Sequence, residues 1–318
     1  MNDKQINKWL RRQCAPTGWV LLGYYALINL LCLIAMGWEA LRQMRGLIGS
    51  GISWFQNMDM DALLSNAWGY IMAIVTVFLI LHAWKGPRYW KNEVFAKESP
   101  MKAGVFFRVL CLCLGTQMVN GLWVTGLEFL YNLADKSLEP MMEAVSGMSN
   151  TFSMFLYVSV FAPLWEEILF RGFVLRTLRP FGKRFAVLGS AFLFGIFHGN
   201  LLQTPYAFLM GLLLGYVTVE YSIWWAIAVH AFNNFVLADL LTRITMLLPV
   251  EVAGLIDLIL LGGGFVLSAV ILIRKRHQIA EHIRSEWMDR RVLKCFFTSP
   301  GVLVMTVLML INILTVMP

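Results

Sequence analysis

Phe161-Ala-Pro-Leu-Trp-Glu-Glu-Ile-Leu-Phe-Arg171 sets two adjacent carboxylates and a guanidinium in an otherwise apolar stretch. On insertion scales an acidic residue at the centre of a membrane helix costs roughly 2.5–3.5 kcal/mol. A chain keeps such groups where they are paired, hydrated or used. Glu167 and Arg171 stand four apart, acid before base, the favourable order for an ion pair along one helix face. Glu166 points about 100° away on a regular helix and has no partner there. A carboxylate left in that state suits a general base acting on water. Pro163 removes the donor that would bond to Ser159 and predicts a kink just ahead of the glutamates.

The rest of the chain sets this stretch in a membrane. Of 318 residues, 58% are hydrophobic and 14% charged, with a mean hydropathy of +0.66. Soluble proteins carry about 25% charged residues, so the composition excludes a soluble globular protein. The net charge of +7 lies in short blocks between apolar runs, which suits loops facing the cytoplasm better than a nucleic-acid surface. The five cysteines, Cys14, Cys32, Cys111, Cys113 and Cys295, show neither zinc-ligand spacing nor a disulfide framework and read as packing residues. Lys4, Lys8, Arg11 and Arg12 precede an uncharged run from Cys14 to Trp38. That run is too long for a signal-peptide core and reads as a retained first span.

Apolar runs at 17–38, 63–84, 105–127, 150–178, 185–199, 205–220, 222–241, 253–273 and 298–317 predict an all-α polytopic bundle of eight or nine spans. The fifth and sixth runs are short, and the turn between them, Gly199-Asn-Leu-Leu-Gln-Thr-Pro205, is uncharged, which suggests protein-enclosed structure. With the N-terminus inside, 21 of the 26 Lys and Arg residues fall on cytoplasmic segments and 4 outside, with Arg108 just within a span. At 1.5 Å per residue, Glu166, His198 and His230 lie roughly 21, 20 and 14 Å from the cytoplasmic ends of their spans. All three fall near the bilayer centre, so three helices can share one site. The layout divides into N-terminal helices (1–150), a central chemical core (151–241) and C-terminal helices (242–318). Residues 277–294, with Ile279, Ile283 and Trp287 on one side, suggest an amphipathic helix on the inner leaflet. Gly211-x-x-x-Gly215 reads as close helix packing within the bundle.

Two further apolar segments carry the remaining candidates. Phe194 and His198 share one helix face, as do His230 and Asn234. Asn234 and a histidine N–H are suited to donate to an oxyanion forming on a carbonyl. Neither a His-Glu-x-x-His helix nor a Gly-x-Ser-x-Gly elbow is present. The residues leave three readings open. One is a hydrolase, one a transporter or proton relay using the same glutamates and histidines, and one a non-catalytic immunity or scaffold protein.

The ordered set Glu166-Glu167-x-x-x-Arg171, Phe194-x-x-x-His198 and His230-x-x-x-Asn234 resembles the CPBP (Abi) family. That family comprises the type II CAAX prenyl endopeptidases and their bacterial relatives, and the resemblance covers about residues 153–240. It implies an intramembrane endopeptidase acting on a membrane-associated or lipidated peptide. On that resemblance Glu166 and His198 would activate water, and His230 and Asn234 would bind the oxyanion. Glu167, Arg171 and Phe194 would support the site. The resemblance implies glutamate-dependent chemistry without a cofactor. The family's metalloprotease label leaves zinc open, and Glu166, His198 and His230 would then be its ligands. Expected partners are a peptide or protein substrate and the lipid bilayer, with no nucleic acid. Some bacterial relatives are linked to bacteriocin immunity. The positive-inside pattern and the absence of an Asn-x-Ser/Thr sequon point to a bacterial cytoplasmic membrane, multi-pass, N-terminus inside.

Overall fold

The computed structural model describes residues 2–46, 59, 62–63, 66–96, 99–146, 151–285 and 289–317. Among them every regular element is helical. The helices are α1 (Asp3–Gly46), α2 (Trp68–Lys85), α3 (Ala103–Asn132), α4 (Glu139–Ser146) and α5 (Phe152–Phe181). They continue as α6 (Lys183–Phe197), α7 (Thr204–Glu220), α8 (Ile223–Thr245), α9 (Val250–Glu281), α10 (Arg290–Phe297) and α11 (Pro300–Val316). Local chemistry sets several ends. The Ser222 hydroxyl caps α8 by accepting from the Trp225 N–H, and the Asp289 carboxylate caps α10 through the Arg291 N–H. Gly182, at φ 113°, breaks α5 from α6 in a conformation that favours glycine.

Among the described residues, six helices are long and apolar enough to cross a bilayer: α1, α2, α3, α5, α8 and α9. The pair α10–α11, bent by 63°, makes a seventh if it forms one span. The eight or nine spans expected from the apolar runs are therefore not reached. The reason is length: α6 and α7, with 15 and 17 residues, are only about 23 and 26 Å long, short of the roughly 30 Å hydrocarbon core.

α5 is the central helix, with half of its apolar window buried against 11% for α9. All residues from Glu167 to Leu175 are buried. The outward side of α9 exposes Leu258, Ile259, Val266 and Ile273, as a lipid-facing helix does. The largest apolar cluster joins Leu10 and Leu21 of α1, Leu81 of α2, Phe170 and Phe173 of α5, Leu193 of α6 and Met305 of α11. The two ends of the chain thus pack on the central core.

Small residues let the helices approach. Gly211 backs onto Ala191 and Gly215 onto Val187, so the Gly-x-x-x-Gly seam is α7 against α6, within the bundle. Gly18 and Gly301 cross backbone to backbone between α1 and α11. All five cysteines are free, four of them buried. The single amphipathic helix expected over 277–294 is not formed. α9 runs on helically to Ser285, and α10 starts afresh at its Asp289 cap. α10 buries Val292, Cys295 and Phe296 and ties to α1 through an Arg291–Asp3 ion pair of 3.0 Å. Trp287 lies outside the described residues.

Candidate active site

The helix that carries the glutamates is not a plain α-helix. It alternates α turns at 152–156 and 162–166 with wider π turns at Tyr157–Phe161 and Glu167–Leu175. α8 changes register in the same way, from α at Ile223–Ala231 to π at Phe232–Leu240. Such π turns concentrate at functional sites. Here one π turn opens at Glu167, directly after Glu166, and another begins two residues after His230 and contains Asn234.

Glu167 is the buried anchor. Its side chain and that of Arg171 are both fully enclosed, with Arg171 Nη1 donating to Glu167 Oε1 over 2.8 Å. Arg171 Nη2 donates to the Gly211 carbonyl of α7 at 3.3 Å, and the guanidinium lies 4.4 Å from the Phe194 ring centroid. The same Oε1 accepts from His230 Nδ1 at 2.9 Å. On its other side, His230 Nε2 stands 3.7 Å from Glu166 Oε2, too long for a hydrogen bond but close in electrostatic terms. One imidazole therefore spans the two adjacent carboxylates. Glu166 is the more accessible of the pair, with 22% of its side chain exposed against 0% for Glu167.

Phe194 stands at the meeting point. Its ring contacts His198 edge-on at 4.9 Å, His230 at 5.8 Å and Phe170 at 5.0 Å. His198 itself follows the last residue of α6, half-buried, with Nδ1 donating to the Phe194 carbonyl at 2.9 Å. A carbonyl only accepts, so Nδ1 carries a proton and Nε2 is the ring nitrogen left for the site. The backbone behind His198 is pinned twice. Asn200 Nδ2 donates to the His198 carbonyl, and Asn312 Nδ2 of α11 donates to that of Gly199, each at 3.0 Å. Gly199 takes φ 64°, and a Cβ there would meet Asn312 Nδ2 at 2.6 Å.

Asn234 is held by a backbone carbonyl that Pro163 leaves without its ladder partner. In the π turn the Ala162 N–H bonds Tyr157, five residues back. The next such bond would run from residue 163 to Val158, but proline has no N–H. Asn234 Nδ2 donates to the Val158 carbonyl instead, at 3.1 Å.

The fold thus joins Glu166, Glu167, Arg171, Phe194, His198 and His230 through direct contacts, and sets Asn234 against the glutamate helix at Val158. No hydrogen bond or ion pair links His198 to Glu166 among the described residues. Also among them, no three His, Cys, Asp or Glu residues are grouped to hold a metal ion, so Glu166, His198 and His230 do not form a ready zinc site here. Tyr24 of α1 was not singled out in the sequence. Its ring packs on Trp165 at 5.8 Å and stacks on Phe197 at 5.6 Å, next in sequence to Glu166 and His198. No local pattern marks Tyr24, Gln117, Asn233 or Asn312, because each reaches the site from a distant segment or from beside a more conspicuous residue.

Residues 148–236 match the family model described as Rce1-like, type II CAAX prenyl endopeptidase. The matched region holds all seven residues of the ordered set and is similar to CAAX-type membrane proteases. Neither the curated proteins nor the solved structures give a match to the chain.

Proposed function

We propose that this polytopic helical membrane protein, Rce1-like over residues 148–236, is an intramembrane endopeptidase that uses a glutamate-activated water. The observation that carries the reading is the split between the adjacent glutamates. Glu167 is engaged by both Arg171 and His230, while Glu166 keeps a partly exposed carboxylate whose ion-pair contact among the described residues is a long one, to His230.

In the proposed reaction Glu166 takes a proton from water, and the water oxygen bonds to the scissile carbonyl carbon. The lone pair of His198 Nε2 orients that water. Charge develops on the carbonyl oxygen, where the Asn234 amide donates. Collapse of the tetrahedral intermediate breaks the C–N bond, and the leaving amine takes the proton held by Glu166. His230, which the sequence pattern paired with Asn234, has its ring nitrogens directed at the two glutamates. Its assigned role is therefore to orient Glu166. The substrate is a membrane-associated or lipidated peptide or protein. The site opens in a bacterial cytoplasmic membrane with the N-terminus inside, as the positive-inside pattern favours.

The test compares membrane-protein termini by mass spectrometry in cells expressing wild type or Glu166→Ala at matched levels. New termini confined to wild type are the expected result. Identical termini in both, in cells supplied with prenylated and unprenylated membrane peptides, would reject the peptidase reading.

A further inference from the structure

Asn234 ends a chain of part-buried hydrogen bonds, centred on the buried Asn233, that starts outside the matched region. Gln117 Nε2 of α3 donates to Asn233 Oδ1 at 2.8 Å, and the Tyr206 hydroxyl of α7 donates to the same oxygen at 2.6 Å. The Cys113 thiol adds a longer contact of 3.4 Å. Asn233, only 3% exposed, then donates through Nδ2 to Asn234 Oδ1 at 3.0 Å. Asn234 Nδ2 donates in turn to the Val158 carbonyl.

The direction of this chain is not arbitrary. An amide has a donor end and an acceptor end that differ little in shape, so each asparagine has two orientations. The Val158 carbonyl can only accept, which requires the Asn234 nitrogen there. Asn234 then offers its oxygen to Asn233, which must answer with nitrogen, leaving the Asn233 oxygen for Gln117 and Tyr206. Reversing one amide would set oxygen against oxygen at one contact and nitrogen against nitrogen at another. Each mismatch strands a buried polar group.

We infer that Gln117, Tyr206 and Asn233 are positioning residues that lock the Asn234 amide with its nitrogen toward the glutamate helix. The inference rests on the peptidase reading for its purpose, since an oxyanion requires N–H and not C=O from Asn234. Val158 takes one of the two N–H bonds, and the second remains for a ligand. The N-terminal helices thereby supply part of the site through Gln117 of α3.

The experiment uses full-length protein in detergent, labelled with 15N only in asparagine. The Asn234 side-chain NH2 pair is assigned by its loss in Asn234→Ala. Gln117→Met and Tyr206→Phe are each expected to shift or broaden that pair, although neither residue touches Asn234. Tyr206→Phe removes a single oxygen, so it remains informative if Gln117→Met misfolds. An Asn234 signal unmoved by the variants that fold would overturn the inference. In cells, each variant should slow cleavage about two- to tenfold, the range for one lost hydrogen bond, and should add less than twofold in the Asn234→Ala background. Losses that multiply instead would also overturn it. Cleavage unaffected by Asn234→Ala alone would reject the oxyanion reading while the amide signal still decides the relay.

Discussion

Arg171→Met removes a guanidinium with no exposed surface while keeping an unbranched side chain. Three contacts go with it: the 2.8 Å bond to Glu167, the 3.3 Å bond to the Gly211 carbonyl, and the cation–π contact to Phe194. The dominant loss is the first, because Glu167 and Arg171 form a fully buried ion pair. Removing one partner of a buried ion pair costs about 3–5 kcal/mol, since the remaining charge is stranded. The Phe194 contact, about 2 kcal/mol when desolvated, overlaps with that figure. Reversible unfolding in mixed micelles, followed by tryptophan fluorescence as the denaturing detergent fraction rises, measures the change. Glu167→Gln/Arg171→Met leaves neither charge behind and should return to within about 1–2 kcal/mol of wild type, as replacing both partners of such pairs often does. A single-variant cost under about 1 kcal/mol, or a double variant no better than the single, would refute the stranded-charge reasoning.

Glu166→Gln should abolish cleavage yet unfold at or above the wild-type midpoint; either retained cleavage or a marked loss of stability counts against the division of roles between the glutamates. Asn234→Ala should slow cleavage by about 10²–10³ as an oxyanion donor, and a change below twofold would reduce it to packing. Gly199→Ala places a Cβ on the Asn312 amide at φ 64°, which costs about 1–2 kcal/mol from the backbone conformation alone. It should also slow cleavage through the adjoining His198, and normal stability in the unfolding assay would show that α11 does not pin this turn. Chelator treatment should leave cleavage intact, whereas a loss restored by zinc would make the chemistry metal-dependent.

Much of this was legible in the sequence where the signal is local. The Glu167–Arg171 pair follows from four-residue spacing, and the Gly211-x-x-x-Gly215 seam from small residues at helical repeat. The apolar runs identify the helices, though not which of them cross the bilayer. What the sequence did not disclose depends on register and on distance. Pro163 announces an orphaned carbonyl, but which one depends on whether the preceding turn is α or π. Packing selects that turn, and in the π register Asn234 meets the carbonyl of Val158. His230 and Asn234 fall on one helical face, yet His230 turns to the glutamates and Asn234 to the backbone of α5. Gln117 and Asn312 lie 116 and 113 residues from the groups they bond, and nothing in their local sequence sets them apart.

The charge balance of the cluster explains why two adjacent glutamates are present. With His230 neutral, two carboxylates and one arginine leave one negative charge in excess. Burial decides where that charge resides. Glu167 directs one oxygen at both Arg171 and His230, so its charge is neutralised within the protein. Glu166 has its ion-pair contact among the described residues in the 3.7 Å approach of His230 and keeps access to the surroundings. Glu166 is therefore the carboxylate with the weaker pairing. A single glutamate paired with Arg171 would be stable and unreactive, and a single unpaired one would lack the anchored imidazole that orients it. The two glutamates meet at one ring: Glu167 anchors His230, and His230 in turn approaches the Glu166 carboxylate. Substituting these neighbours should thus give effects of opposite sign on stability, with loss at 167 and little change or gain at 166, while both silence the chemistry.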